Sequence, residues 1–419
     1  MNPITTADID RLRRRIERIE GGRMAPTAPA IPSDELEDRP TRYEPEGMLD
    51  GEVLENPHGK YFLQQRLYPN HKLHGSFDIG RLADMPGKWL EGVSKGDIPA
   101  HDPQRWVFLD TETTGLAGGT GTCAFLIGVG TIEPDGFRVR LFFMRDYNEE
   151  AAMLYALAEF LQFYDVLVTY NGKSYDAPLI ETRYRLQRRR TPLDRMHHLD
   201  LLHGARSLFK LRMENCRLMN LEHELLGLER EGDLPGELIP YYYFEYLRTK
   251  QAFKLVPLFH HNVMDIVSLA CLTATVLPAF AAPEQTPFQD GEDLLGLARW
   301  LRRAGAKDSA VTLYRRAVQA GVMDNELFAA LWETALLEKK RGRHDEKAQI
   351  LRDLTEVHNP FRGQAFDELA KHFERHEKDL EQAHSIASLG MKTDPSEELG
   401  RRHERLARRL ARIRPGTLC

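Results

Sequence analysis

The sequence predicts an α/β protein, a mixed sheet flanked by helices, followed by an all-α region, and three observations carry that expectation. Apolar runs from Trp106, over Thr122–Thr131 and over Phe137–Phe143 read as three meandering strands, the last two joined by the turn Glu133-Pro-Asp-Gly136. Helix and strand then alternate: helical spacing over about Glu149–Phe163, a continuous apolar strand at Val166–Thr169, and a helix starting at Asp176. From Glu292 onward the pattern is nearly all helical, with small residues at regular intervals.

At 419 residues the chain is too long for one ordinary core, so more than one unit is expected. Residues 1–45 comprise a short charged helix, Ile9-Asp-Arg-Leu-Arg-Arg-Arg-Ile-Glu-Arg-Ile19, and a Pro-rich polar linker. Residues 46–280 form the α/β unit, with short strands and turns up to about residue 100 and the core over about 104–280. Residues 290–415 form the helical unit. Gly118-Gly-Thr-Gly121 lacks the Lys-Ser/Thr ending of a phosphate-cradling loop and reads as a tight connection or a cleft edge. Leu199-Asp200-Leu201 reads as a further strand, with Asp200 either a supporting group or a strand-end acid.

A formal charge of −6 argues against a surface coated in basic residues for duplex DNA. The total hides local asymmetry. Arg183, Arg185, Arg188, Arg189, Arg190 and Arg195 cluster on and after the Asp176 helix, and Arg206, Lys210, Arg212 and Arg217 follow. They either track a phosphate backbone or form a solvated face. A second basic run, Arg401 to Arg414, reads as an exposed helix end. Cys123, Cys216, Cys271 and Cys419 are scattered without a CxxC pair, so neither a zinc site nor a disulfide framework is expected. His71 and His74 lack neighbouring Cys or acids and are not expected to bind metal. No segment approaches the length of a membrane-spanning helix and the N-terminus lacks an apolar signal core. A reduced, cytoplasmic protein with no membrane partner is therefore expected.

The chemistry concentrates in three acidic motifs. In Trp106-Val-Phe-Leu-Asp110-Thr-Glu112, two carboxylates at i, i+2 share one face of a strand. Held together they repel, and a shared divalent cation relieves that cost; the alternative is a solvated strand end. In Tyr170-Asn171-Gly-Lys-Ser-Tyr-Asp176, an apolar strand runs into an Asn-Gly turn and the acid stands at the first turn of a helix, as ligand or as cap. In His260-His261-Asn262-Val-Met-Asp265, apolar spacing is helical, and His261 and Asp265 share a face at i, i+4.

Asp110-Thr-Glu112, Asn171-x4-Asp176 and the His residues before Asp265 resemble, in order and approximate separation, the three exonuclease motifs of the DEDD superfamily, which has a ribonuclease H-like fold. More narrowly, the chain resembles the bacterial YprB-like subfamily, on Leu218-Met-Asn-Leu-Glu-His-Glu-Leu-Leu-Gly227, Leu234-Pro-Gly-Glu-Leu-Ile-Pro240 and His-Asn-x-x-Asp265. The resemblance implies a 3′–5′ exonuclease on single-stranded DNA or RNA, using two Mg²⁺ or Mn²⁺ ions held by Asp110, Glu112, Asp176 and Asp265. It implies that Asp110 bridges the ions, that Glu112 and Asp265 hold the nucleophile-side ion, and that Asp176 binds largely through waters. A histidine then orients or deprotonates the attacking water, a task suited to a pKa near neutrality. The subclass with His five residues before the last Asp points to His260 and the four-residue spacing points to His261, so both stay open. Thr113, Asn171, Lys173, Tyr175 and Arg183 are the side chains expected to meet nucleic acid.

Ala310, Ala348 and Ala383 occupy similar settings, separated by 38 and 35 residues. That is close to the roughly 34-residue tetratricopeptide period. Leu297-Ala298, Leu331 and Leu369-Ala370 mark the preceding helices. These helices form either a concave surface for a protein or nucleic-acid partner or a buttress on the catalytic unit. The competing functional expectation is a weak or inactive nucleic-acid-binding scaffold that works through the repeats.

Overall fold

A computed structural model describes residues 45–115, 121–230 and 232–413. The charged helix over 9–19, the linker, most of the Gly118–Gly121 loop, Arg414 and Cys419 lie outside the described residues. The sheet has seven strands in the order β1-β2-β7-β6-β5-β8-β9. They are β1 (Gly51–Asn56), β2 (Gly59–Pro69), β5 (Trp106–Thr113), β6 (Ala124–Glu133), β7 (Gly136–Phe143), β8 (Val166–Thr169) and β9 (His197–Asp200). A separate small ribbon pairs β3 (Leu73–His74) with β4 (Phe77–Asp78). β5 to β8 and β8 to β9 are parallel, and the other pairs are antiparallel. The expected mixed sheet with a helical region after it is thus the architecture found. One difference concerns the segment before Trp106: β2, eleven residues long, pairs with β7 and widens the sheet beyond its three meandering strands. Its Phe62, Leu63 and Tyr68 side chains are buried, which anchors that side of the sheet.

β5 is central because Trp106, Val107, Phe108 and Leu109 are all fully buried, as an apolar run with helices on both sheet faces requires. Along β6, Gly128 pairs with Asp110 and Gly130 pairs with Phe108. Across these glycines lies α6 (Val256–Ala281), which follows α1 (Trp89–Ser94), α2 (Glu150–Leu161), α3 (Asp176–Leu186), α4 (Leu201–Phe209) and α5 (Ile239–Thr249). The approach is close enough that a Cβ on Gly128 would stand 1.9 Å from Asn262 Oδ1, and one on Gly130 would stand 2.6 Å from Ile266 Cγ2. Missing side chains on one strand therefore let Asn262 and Ile266 of α6 press onto the sheet beside Asp110.

α6 also corrects an expectation. By length and composition it is apolar enough to cross a membrane, but 72% of the relevant window is buried inside the protein. It is the helix across which sheet and flanking helices pack, so its all-round apolarity reflects core burial.

Seven helices follow: α7 (Gly291–Arg303), α8 (Lys307–Ala320), α9 (Asp324–Lys340), α10 (His344–Glu356), α11 (Arg362–His372), α12 (Leu380–Thr393) and α13 (Glu397–Ile413). Each packs on the next in the chain. Ala310, Ala348 and Ala383 are buried in α8, α10 and α12, where a small side chain permits close helix contact. α7 docks on α4, and a Cβ on Gly296 would meet Leu208 O at 2.4 Å. Arg212 clamps the junction by donating to Asp293. The apolar core beneath the sheet runs on through α7 and α8 into α9, and a second core joins α9 to α13.

Candidate active site

The site is built where β5 leaves the sheet. Asp110 and Glu112 share a face, as their spacing requires, and the Asn262 amide Nδ2 donates to both, at 2.8 Å to Asp110 Oδ2 and 3.3 Å to Glu112 Oε1. Thr111, on the opposite side of the strand, donates to Asp176 Oδ1 at the start of α3. Asp176 is therefore not the side-chain cap of its own helix. The loop before it is held by Asp200, whose carboxylate accepts from the backbone N–H of Asn171 and Lys173 and also caps α4 at Leu202. Asn171 has φ +66°, a left-handed conformation that asparagine tolerates better than most residues.

Asp110, Asp176, Thr113, Asn171 and Tyr175 line one cavity of about 640 Å³. Lys173 is exposed beside the loop and does not line it. Arg183, expected at nucleic acid, is instead engaged within the protein. It donates from Nε and Nη2 to the two oxygens of Glu150, at 2.5 and 2.7 Å, a bidentate pair only 12–14% exposed. Arg212 is likewise committed, to Asp293 and Glu224, which leaves the basic run after Asp176 less free than its composition suggests.

The acids feel one another. Burial, then the charges of Asp265, Asp176 and Glu112, pushes Asp110 well above the usual carboxylate range, although it still opens onto the cavity. Burial raises Glu112 to about 8 and Asp176 to about 6.

Around Asp265 lies a buried ionic network that the motifs did not announce. Arg230 donates to Glu222 through Nε (2.7 Å) and Nη2, to Asp233 through Nη1 (3.1 Å) and to Asp265 through Nη2 (2.5 Å). His261 Nδ1 lies 2.8 Å from Asp233 Oδ1, and His261 Nε2 lies 3.5 Å from Asp265 Oδ2. Behind it, His74 Nε2 meets Ser268 Oγ at 2.7 Å, with burial lowering the His74 pKa to about 4. His260 is exposed, and burial of part of its ring lowers its pKa. His261 therefore faces the acids and His260 does not. Burial opposes the charged form of His261, but Asp233, Asp265 and Glu112 outweigh it and raise the ring to about 9. That corrects the expectation of a near-neutral value: with the carboxylates uncompensated, His261 is an imidazolium at pH 7.

Among the described residues, no group of three or more His, Cys, Asp and Glu side chains is arranged to hold a metal ion. The hydrogen bonds explain this. The Asn262 amide lies between Asp110 and Glu112, Thr111 holds Asp176, and Arg230 holds Asp265. The donor chemistry fits a hard divalent cation even so: carboxylates that raise one another's pKa, and an Asn262 Oδ1 that is buried with no hydrogen-bond partner.

Sequence reasoning passed over Thr111, Gly128, Asn262, Glu222, Arg230 and Asp233. A signal existed for Asn262, which stands in the His-Asn-x-x-Asp pattern three residues before Asp265. For Arg230 there was none, because a lone arginine in a polar loop looks solvated.

A central mixed sheet carrying clustered carboxylates at β5 defines a nuclease-type domain of the ribonuclease H class, and comparison with known proteins agrees. The model of the family RNase_H_2, of the RNase_H superfamily, matches residues 107–277. The uncharacterized protein YprB of Bacillus subtilis (strain 168) is 31% identical over 353 residues, covering 83% of this chain and 84% of that protein. The chain belongs to the YprB family within the RNase H-like superfamily. A solved family B DNA polymerase from the hyperthermophilic archaeon Pyrobaculum calidifontis overlaps 48% of this chain and 30% of its own, with 16% identity and a TM-score of 0.34, a level that carries no functional weight.

Proposed function

We propose that the protein is a metal-dependent nuclease, a DEDD-type 3′–5′ exonuclease acting on single-stranded DNA or RNA. The observation that supports this reading is the charge repulsion that Asp265, Asp176 and Glu112 exert on Asp110, with Asp110 and Asp176 lining one cavity. Asp110, Glu112 and Asp265 are the residues that would hold Mg²⁺ or Mn²⁺, with Asp176 contributing largely through water. Two such ions supply positive charge against the developing negative charge of an in-line displacement at phosphorus.

The chain's own groups do the rest. Tyr175, 62% exposed at the cavity, offers a ring for a terminal base to stack on. Thr113 and Asn171 present polar groups to the sugar-phosphate. His261 stands with Nε2 toward Asp265, positioned by Asp233 behind it, to orient the attacking water and take its proton. Neutralising Glu112 and Asp265 lowers the His261 pKa from about 9 toward the range of a working base, because those charges are part of what raised it. The test is an end-labelled panel of single- and double-stranded DNA and RNA with Mn²⁺. A ladder shortening from the 3′ end, abolished by EDTA and by Asp110→Asn in a folded protein, is the expected result; cleavage undiminished in Asp110→Asn refutes it.

One observation favours a second reading, an inactive scaffold: Arg230 already occupies Asp265 and no ready metal arrangement is present among the described residues. Calorimetric titration with Mn²⁺ separates the two, since a scaffold binds none tightly.

A further inference from the structure

The six arginines of α13 play no part in the reading above. Arg401, Arg405, Arg408 and Arg412 recur at i, i+4, i+7 and i+11, which places them on one helix face. Axial steps between them are about 6, 4.5 and 6 Å at 1.5 Å per residue. With Arg409 and Glu404 they line a recess of about 410 Å³, five guanidinium groups to one carboxylate. We propose that this face is a second nucleic-acid contact, gripping the phosphate backbone of a single strand away from the carboxylate site; the choice of nucleic acid as partner rests on the nuclease reading.

Internal pairing does not use up the charge. Glu374, with a side chain only 5% exposed, accepts from Arg402, Arg405 and Arg409 together. One carboxylate cannot neutralise three guanidiniums, but it fixes where their forks point. Asp367 adds one more acceptor, for Arg402, and it is shared with Lys371. On the outer side Arg401 meets Glu397 and Glu398, and Arg408 meets Glu404, in pairs at 3.2–3.8 Å that are 66–80% exposed. Water screens such pairs, and phosphates displace them at little cost. Arg412 has no ion-pair partner among the described residues.

A helix dipole favours cations only near the last turn, and Arg401, Arg402 and Arg405 lie outside it, so the dipole does not account for the stripe. Guanidinium forks bind phosphate oxygens in pairs, and an evenly charged polymer matches an evenly spaced row better than an acidic peptide does.

The experiment is fluorescence anisotropy in EDTA with labelled 30-nucleotide single-stranded DNA and RNA, comparing the full chain with an Arg401→Gln/Arg408→Gln/Arg412→Gln variant. These three spare the Glu374 cluster, and circular dichroism and thermal melting check that the fold is kept. The expected result is affinity lower by about tenfold or more, with a salt slope reduced by about 2, near 0.7 for each lost phosphate contact. Cleavage of a four-nucleotide substrate stays unchanged. Equal affinity and slope in the variant overturn the inference, as does a poly-glutamate competitor that displaces the strand as well as unlabelled oligonucleotide does. Wild type that binds but never cleaves defeats the nuclease reading alone and leaves this site standing.

Discussion

Replacing Arg230 with methionine probes the physical core of the site. The guanidinium is 4% exposed and contacts Glu222, Asp233 and Asp265, whose side chains are 1%, 8% and 17% exposed. Methionine fills similar volume but leaves buried Glu222 without a counter-ion and Asp233 and Asp265 with His261 as their remaining cation. Breaking a buried pair from one side costs about 3–5 kcal/mol. At 2–4 °C per kcal/mol for a domain of this size, the melting point should fall by roughly 6–20 °C at pH 7.5. The sign with pH follows from Glu222. Burial already raises its pKa and Arg230 opposes that shift, so removing Arg230 raises it further. A group with a raised native pKa costs nothing below its unfolded value and progressively more as pH rises through the native one. The penalty should therefore shrink on moving from pH 7.5 to pH 5. Arg230→Met/Glu222→Gln should recover part of it, because the second change removes the orphaned charge. Calorimetric melting of the four proteins in EDTA at both pH values measures all of this. A loss under 1 kcal/mol at pH 7.5, or a penalty that grows toward acid, refutes the argument.

Other predictions follow from the same geometry. With Glu112 near 8 and Asp176 near 6 against ordinary values near 4, the metal-free protein should lose stability as pH rises from about 4.5 to 8. Asp110→Asn should flatten that loss and raise the melting point in EDTA; a melting point that climbs over this range contradicts it. Mn²⁺ binding at pH 7 should release protons, read as a dependence of calorimetric heat on buffer ionisation enthalpy. Gly128→Ala should cost about 1–3 kcal/mol by overpacking against Asn262, and Asn262→Ala should relieve part of that in the double variant. His261→Ala should lower cleavage by about 10²–10⁴-fold with His260→Ala near wild type, and comparable losses in both would undo the assignment of the facing histidine.

The motifs and elements that rest on local physics were legible early. Apolar runs, an Asn-Gly turn and helical spacing depend on neighbours in sequence, so β5 to β8, α3 and the helical final third followed from the local pattern, while the strand read at Leu199–Leu201 is β9 (His197–Asp200), with Leu201 already opening α4. Asp110 and Glu112 could be placed on one face because strand geometry fixes i, i+2. The i, i+4 pairing of His261 and Asp265 was equally local.

What depended on distant neighbours was not legible. Arg183 looked free until Glu150, 33 residues earlier, closed on it. Nothing local in the sequence marks Arg230, which Glu222, Asp233 and Asp265 enclose in the fold. The pKa of His261 followed in part from Asp233 and Glu112, brought in by other segments, and the close seat of α6 from Gly128 on β6. Periodicity writes burial and direction into a sequence. Electrostatic partnership is set by distances across the fold, where a charge in low dielectric must find its counter-charge wherever the chain happens to bring one.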